Sequence, residues 1–155
     1  MGYSSTIENL LNEGTAVICD RYAFSGIAFS ASKVAASSSD SKLPFEWCRA
    51  PDIGLPAPDV VLFLDIAPEQ AKLRGGYGEE RYEKEEMQAR VRKMFKKIGE
   101  EFKEAEKDGS STTRWTVIDA GRDRDIVERE MWESVKPLLN TVGETPLGKL
   151  WTQRI

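Results

Sequence analysis

The chain has 155 residues, room for one domain with its own core. Its 22 Lys and Arg stand against 26 Asp and Glu, a formal charge of −4, so it lacks the basic excess of a protein that grips phosphate backbones non-specifically. Histidine is absent, which excludes His–Ser and Cys–His nucleophile pairs, imidazole bases and imidazole zinc sites. Cys19 and Cys48 form neither a CxxC motif nor a disulfide framework, which fits a reducing compartment.

In chain order, Met1–Thr6 has no basic or apolar leader region, so no secretory signal is expected. Met1-Gly2 with Ser5 and Thr6 matches a myristoylation site only loosely. Ile7, Leu10 and Leu11 before Gly14 predict a helix with a glycine cap, and Ser5 with Glu8 has capping-box spacing. Three short apolar runs predict buried strands: Thr15–Cys19, Val60–Leu64 and Trp115–Ile118. Each is followed by an aspartate: Asp20, Asp65 and Asp119. Residues 35–42 and 108–113 read as surface loops by their Ser, Thr and Gly content. Pro51–Asp59 is a proline-stiffened entry to the second strand. Pro68 suits the first turn of a short helix toward Arg74. Met87, Val91, Met94, Phe95, Ile98, Phe102 and Ala105 recur at helical steps. Ile126, Val127, Met131, Val135 and Leu138 predict a last helix, which Pro137 strains or ends. No apolar run reaches the length of a membrane span. Strands alternating with helices imply a parallel α/β sheet, whose ligands sit beyond the carboxyl ends of the strands.

Two stretches carry residues suited to phosphate chemistry. The first is Cys19-Asp20-Arg21-Tyr22-Ala23-Phe24-Ser25-Gly26-Ile27-Ala28-Phe29. A strand-end Asp can hold Mg²⁺ through water, and the adjacent Arg can clamp a phosphate with two donors. By itself Asp-Arg-Tyr favours the plainer reading, a strand end with a surface ion pair. The second is Arg74-Gly75-Gly76-Tyr77-Gly78-Glu79-Glu80-Arg81-Tyr82-Glu83. Its three glycines suit a segment that closes over a phosphorylated ligand, although glycine content alone favours an ordinary Gly-rich turn. Arg90, Arg92, Lys93, Lys96 and Lys97 cluster on the long helix, but Glu100, Glu101, Glu104 and Glu106 follow, so a mixed solvated face is expected rather than a nucleic-acid site.

Taken together, Asp20-Arg21-Tyr22-x-x-Ser25-Gly26, Trp47-Cys48, Pro51-Asp52-x-Gly54-Leu55-Pro56-x-Pro58-Asp59, Val61-Leu62-Phe63-Leu64-Asp65 and Arg74–Glu83 closely resemble thymidylate kinase in its eukaryotic form. The tail Thr145-Pro146-Leu147-Gly148-Lys149-Leu150-Trp151 also resembles the end of eukaryotic members. The resemblance runs from about Leu10 to Trp151. It implies a P-loop nucleoside-monophosphate-kinase-like parallel sheet with flanking helices, and ATP-dependent phosphorylation of dTMP to dTDP with ATP and Mg²⁺. Carried over, Asp20 would organise Mg²⁺ and Arg21 would bind the dTMP phosphate. Ser25, Gly26 and Phe29 would line the thymidine pocket, with Gln88 on the dTMP side. The lid would span about 74–83. In it Arg74 would lie against adenine, Arg81 would face phosphates, Tyr82 would approach the deoxyribose and Glu83 would support the magnesium waters. Ala120, Gly121 and Arg122 would border the adenine.

The 155 residues contain no G-x-x-x-x-G-K-[ST] motif; the single Gly-Lys pair, Gly148-Lys149, is followed by Leu150. By the resemblance, the sequence therefore reads as a single partial domain without the P-loop and the first two strands, one of them central. Removal of a central strand is expected to leave unpaired edges and a poorly stable or adhesive chain. Loss of the P-loop arginine and phosphate cradle implies little activity for these residues alone, since one arginine finger is worth about 10³–10⁵-fold in related transfers. Two readings follow. One is a part of a thymidylate kinase. The other is a non-catalytic relic or binding module that pairs with a full-length kinase. Homodimers are common in the family, and a cytoplasmic or nuclear location is expected, with no membrane or nucleic-acid partner.

Overall fold

The structure, a computed structural model, describes residues 4–33, 43–73, 85–140 and 146–152. Helix α1 (Ser4–Asn12) half-buries Ile7, Leu10 and Leu11. It ends as the glycine predicts: Gly14 has φ +80°, its N–H bonds to Leu11 and that of Thr15 to Leu10. At the other end the Ser4 hydroxyl, not that of Ser5, bonds to Glu8.

Helix α2 (Ala23–Ser32) was not evident from composition, because Ser25, Gly26 and Ser30 give little polar contrast. Its register is nonetheless helical: Phe24, Ile27, Ala28 and Ala31 are buried at steps of three and four. Short α3 (Phe45–Arg49) and a 3₁₀ turn at Ala50–Asp52 lead to the proline-rich loop. Strand β1 (Val60–Asp65) precedes α4 (Pro68–Leu73). The long helix α5 (Glu85–Lys107) is followed by strand β2 (Arg114–Asp119) and α6 (Arg124–Val135). The α-helix stops two residues before Pro137, and a 3₁₀ turn runs on from Lys136 to Asn140.

Strands β1 and β2 pair in parallel, in register from Val60 with Arg114 to Asp65 with Asp119. Val61, Phe63 and Trp115 pack into one aromatic core with α2 and α5. Phe63 stacks on Phe95 at 4.9 Å, and Trp115 lies 5.3 Å from Phe24 and 5.9 Å from Phe102. Gly99 of α5 lets Trp115 approach: a Cβ there would stand 2.5 Å from its Nε1. No helix among the described residues is long and apolar enough to cross a membrane.

The expected strand Thr15–Cys19 is not formed. A strand exists through its ladder, and the described sheet contains β1 and β2 alone. Its apolar residues are consequently uncovered, with Ile18 96% exposed. Asp20 therefore follows a loop rather than a strand, whereas Asp65 and Asp119 do end strands.

The cations of α5 are also not merely a solvated face. Arg90 Nε donates to the Ser32 carbonyl at 3.0 Å and so caps the end of α2. Lys97 lies over the Phe45 ring at 4.1 Å. Arg92 grips Asp65 with two hydrogen bonds, 2.5 and 2.8 Å, and Lys96 stands 3.6 Å away. The Arg92 hydrogen bonds hold the Asp65 carboxyl below the usual range against the opposing effect of burial. The stability this pair contributes is present above the ordinary aspartate value of 3.8 and is lost as pH falls through the lowered one. Arg92→Leu is therefore expected to flatten the acid side of a Tm-against-pH curve. An unchanged acid limb would contradict this role for the pair.

Candidate functional site

The turn Asp20-Arg21-Tyr22 sets the site. Arg21 has φ +67°, a left-handed conformation that side chains with a Cβ rarely adopt. Its guanidinium lies 5.1 Å from the centre of the Phe29 ring, a cation–π contact that gives it a fixed direction. Asp20 is exposed and has no hydrogen bond or ion pair among the described residues. Tyr22 begins α2 in extended conformation, and its hydroxyl donates to the Pro56 carbonyl at 3.1 Å. Burial raises the Tyr22 pKa, helped by the nearby Asp52 and Glu8 carboxylates, so the donor keeps its proton.

Ser25, Gly26 and Phe29 fall on one face of α2, at steps of three and four, opposite the buried face. Ser25 and Phe29 are half-buried and Gly26 is exposed. A Cβ at Gly26 would meet nothing within 4 Å, so no neighbour among the described residues demands glycine there. Gln88 stands half-buried in the first turns of α5, the helix packed on α2.

The second cluster lies after β2. The Ala120 N–H bonds to the Asp65 carbonyl at 2.8 Å, which ties the two strand ends together. Gly121 N–H bonds to Asp119 Oδ1 at 2.9 Å. Arg122 pairs with Glu130 and reaches the Asp119 carbonyl at 3.4 Å. Asp65, beside them, is already neutralised by Arg92 and Lys96. Arg74, Arg81, Tyr82 and Glu83, and the surface loop 35–42, lie outside the described residues. Residues 108–113 do form the expected loop, in which Asp108 accepts from the Ser110 N–H at 2.9 Å.

No group of three or more His, Cys, Asp or Glu suited to a metal cage occurs among the described residues. The exposed Asp20 carboxylate nevertheless fits Mg²⁺, which keeps most of its waters and takes one or two carboxylates. The Tyr22–Pro56 link was missed by sequence reasoning. Its partners are 34 residues apart, and neither residue type marks the pairing.

A family model described as thymidylate kinase matches residues 3–131. The chain belongs to the thymidylate kinase family. It is 40% identical to an Arabidopsis thaliana thymidylate kinase over 149 residues, covering 96% of the chain and 49% of the relative. A Schizosaccharomyces pombe thymidylate kinase is 54% identical over 94 residues, covering 61% of the chain and 41% of the relative. The human thymidylate kinase is 34% identical, with 94% of the chain and 61% of the relative covered. Among solved structures, a Candida albicans thymidylate kinase superposes with a TM-score of 0.76 at 32% identity, covering 95% of this chain and 66% of that one. The chain thus has the fold of a P-loop nucleoside monophosphate kinase, and it spans about half the length of the first relatives.

Proposed function

We propose that this chain is the dTMP-binding and lid-bearing part of an ATP-dependent thymidylate kinase that makes dTDP. The observation that supports this most is the Arg21 turn. A strained arginine is held over Phe29 at the amino end of α2, beside an exposed Asp20 and a row of half-buried Ser25 and Phe29 with exposed Gly26. Strain of this kind is kept where the backbone serves a ligand.

In this reading Arg21 holds the dTMP phosphate through charge-assisted, paired hydrogen bonds, while Ser25, Gly26, Phe29 and Gln88 bound the thymidine. A phosphate oxygen of dTMP attacks the terminal phosphorus of ATP. The bond to the bridging oxygen breaks, and ADP leaves. Mg²⁺, when bound, neutralises the charge on the phosphates. Asp20 would hold it through water. By the family resemblance, Arg81 would face the phosphates, Glu83 would support the magnesium waters, Tyr82 would approach the deoxyribose, and Arg74 with Ala120, Gly121 and Arg122 would border the adenine. Such transfer needs positioning and charge neutralisation more than covalent help, so the absence of histidine is no obstacle. Free Cys19 and Cys48 suit the reducing cytoplasm or nucleus.

Titrating dTMP into the chain and following its amide NMR spectrum tests the reading. Shifts concentrated at Arg21–Phe29 are expected, and a spectrum indifferent to dTMP at saturating concentration would contradict it. Gly26 supplies a second test. Alanine there fills open space in a helix, so Gly26→Ala is expected to stabilise the fold by about 0.5–1 kcal/mol. Gly26→Leu should keep the Tm but weaken dTMP binding at least tenfold. Equal binding by Gly26→Leu would remove the thymidine pocket from this face.

A further inference from the structure

The tail makes a strap whose contacts converge on the site. Residues 148–150 run antiparallel to the 54–57 loop, with Pro56 bridged to Lys149. Three backbone hydrogen bonds hold it: Gly54 N–H to Leu150, Leu150 N–H to Leu55 and Ala57 N–H to Gly148, at 2.9, 2.8 and 2.9 Å. Leu150 is 2% exposed, and Lys149 bonds to Glu8 of α1 at 2.6 Å. Gly148 allows the approach, since a Cβ there would stand 3.2 Å from that of Ala57. Trp151 packs edge-on against Phe24 at 5.9 Å and Phe102 at 6.1 Å.

Two of these contacts continue to the Arg21 turn. The strap flanks Pro56 on both sides, and the Pro56 carbonyl takes the Tyr22 hydroxyl. Trp151 takes Phe24, two residues further along α2. Arg21 itself holds a conformation that costs energy and persists only if its surroundings enforce it. We infer that the Gly148–Trp151 strap, acting through Pro56 and Tyr22, positions Arg21 for the phosphate of the nucleotide. Tyr22 is thus a positioning residue. A fold-stabilising tail alone would need no hydrogen bond from the Tyr22 hydroxyl of the turn to the loop that the strap holds. The inference rests on the reading of Arg21 as the dTMP phosphate anchor.

Tyr22→Phe keeps the ring and removes the hydrogen bond, and Gly148→Val pushes the strap from the loop at a distance. In the full chain, both variants should speed amide hydrogen exchange over residues 20–24. Tyr22→Phe should do so about five- to tenfold with its Tm within a few degrees of the parent. Both should weaken dTMP more than thymidine, because the phosphate contact alone is loosened. Unchanged exchange over 20–24 in both variants would overturn the strap's role. So would equal weakening of dTMP and thymidine. If the parent chain binds no dTMP while exchange still rises in the variants, the functional reading fails and the mechanical link stands.

Discussion

Arg21→Gly is expected to abolish phosphate recognition while leaving the fold intact or firmer. Glycine adopts φ +67° without the cost of about 1–2 kcal/mol that a Cβ imposes there, which offsets its own entropic penalty. The same change removes the guanidinium from over Phe29. Arg21 is exposed, and hydrogen bonds to a charged group are worth about 1.5–3 kcal/mol, so dTMP affinity should fall by roughly tenfold or more. Thermal melting and calorimetric titration with dTMP check both halves. A fall in Tm with dTMP affinity retained would reassign Arg21 to the architecture. Arg21→Lys should recover little, because an ammonium cannot reproduce the two-pronged contact.

Gly99→Ala should act in the opposite sense from Gly26→Ala. Helix propensity alone favours alanine at both positions by about 1 kcal/mol. At Gly99 the new Cβ would come within 2.5 Å of Trp115 Nε1 and 2.9 Å of Cδ1. The indole cannot withdraw easily, since Phe24, Phe63 and Phe102 surround it. Overpacking of this kind costs about 1–3 kcal/mol beyond any propensity gain. A Tm several degrees below the parent is expected, whereas a rise would mean that Trp115 has room to move. The pair of variants separates a glycine kept for packing from one with no structural demand.

Helices α1, α4, α5 and α6 and two of the strands were legible because their patterns are local, whereas α2 and α3 were not. The steps from Met87 to Ala105 mark α5, and Gly14 ends α1 where a left-handed residue is needed. The runs around Val60 and Trp115 became β1 and β2, each extended to the aspartate that follows. Thr15–Cys19 has an equally apolar run but no ladder, and apolarity alone does not make a strand. The roles of Arg90, Arg92 and Lys96 were hidden for a related reason. Their partners, Ser32 and Asp65, lie on other elements, so sequence order shows a charge run where the fold makes a helix cap and an ion pair. In the candidate site, Asp20 and Arg21 stood out in the sequence as residues suited to phosphate chemistry, and Ser25, Gly26 and Phe29 were named through the family resemblance. The backbone strain at Arg21 and the strap behind Tyr22 were not legible, since both depend on contacts between distant segments.

The most direct test of the account is ATP turnover by this chain joined to a P-loop-bearing segment of a related thymidylate kinase. ADP release that requires dTMP and is lost in Arg21→Gly is the predicted result. A fusion that melts cooperatively yet turns over ATP without regard to dTMP, or not at all, would contradict the assignment of these residues to dTMP binding.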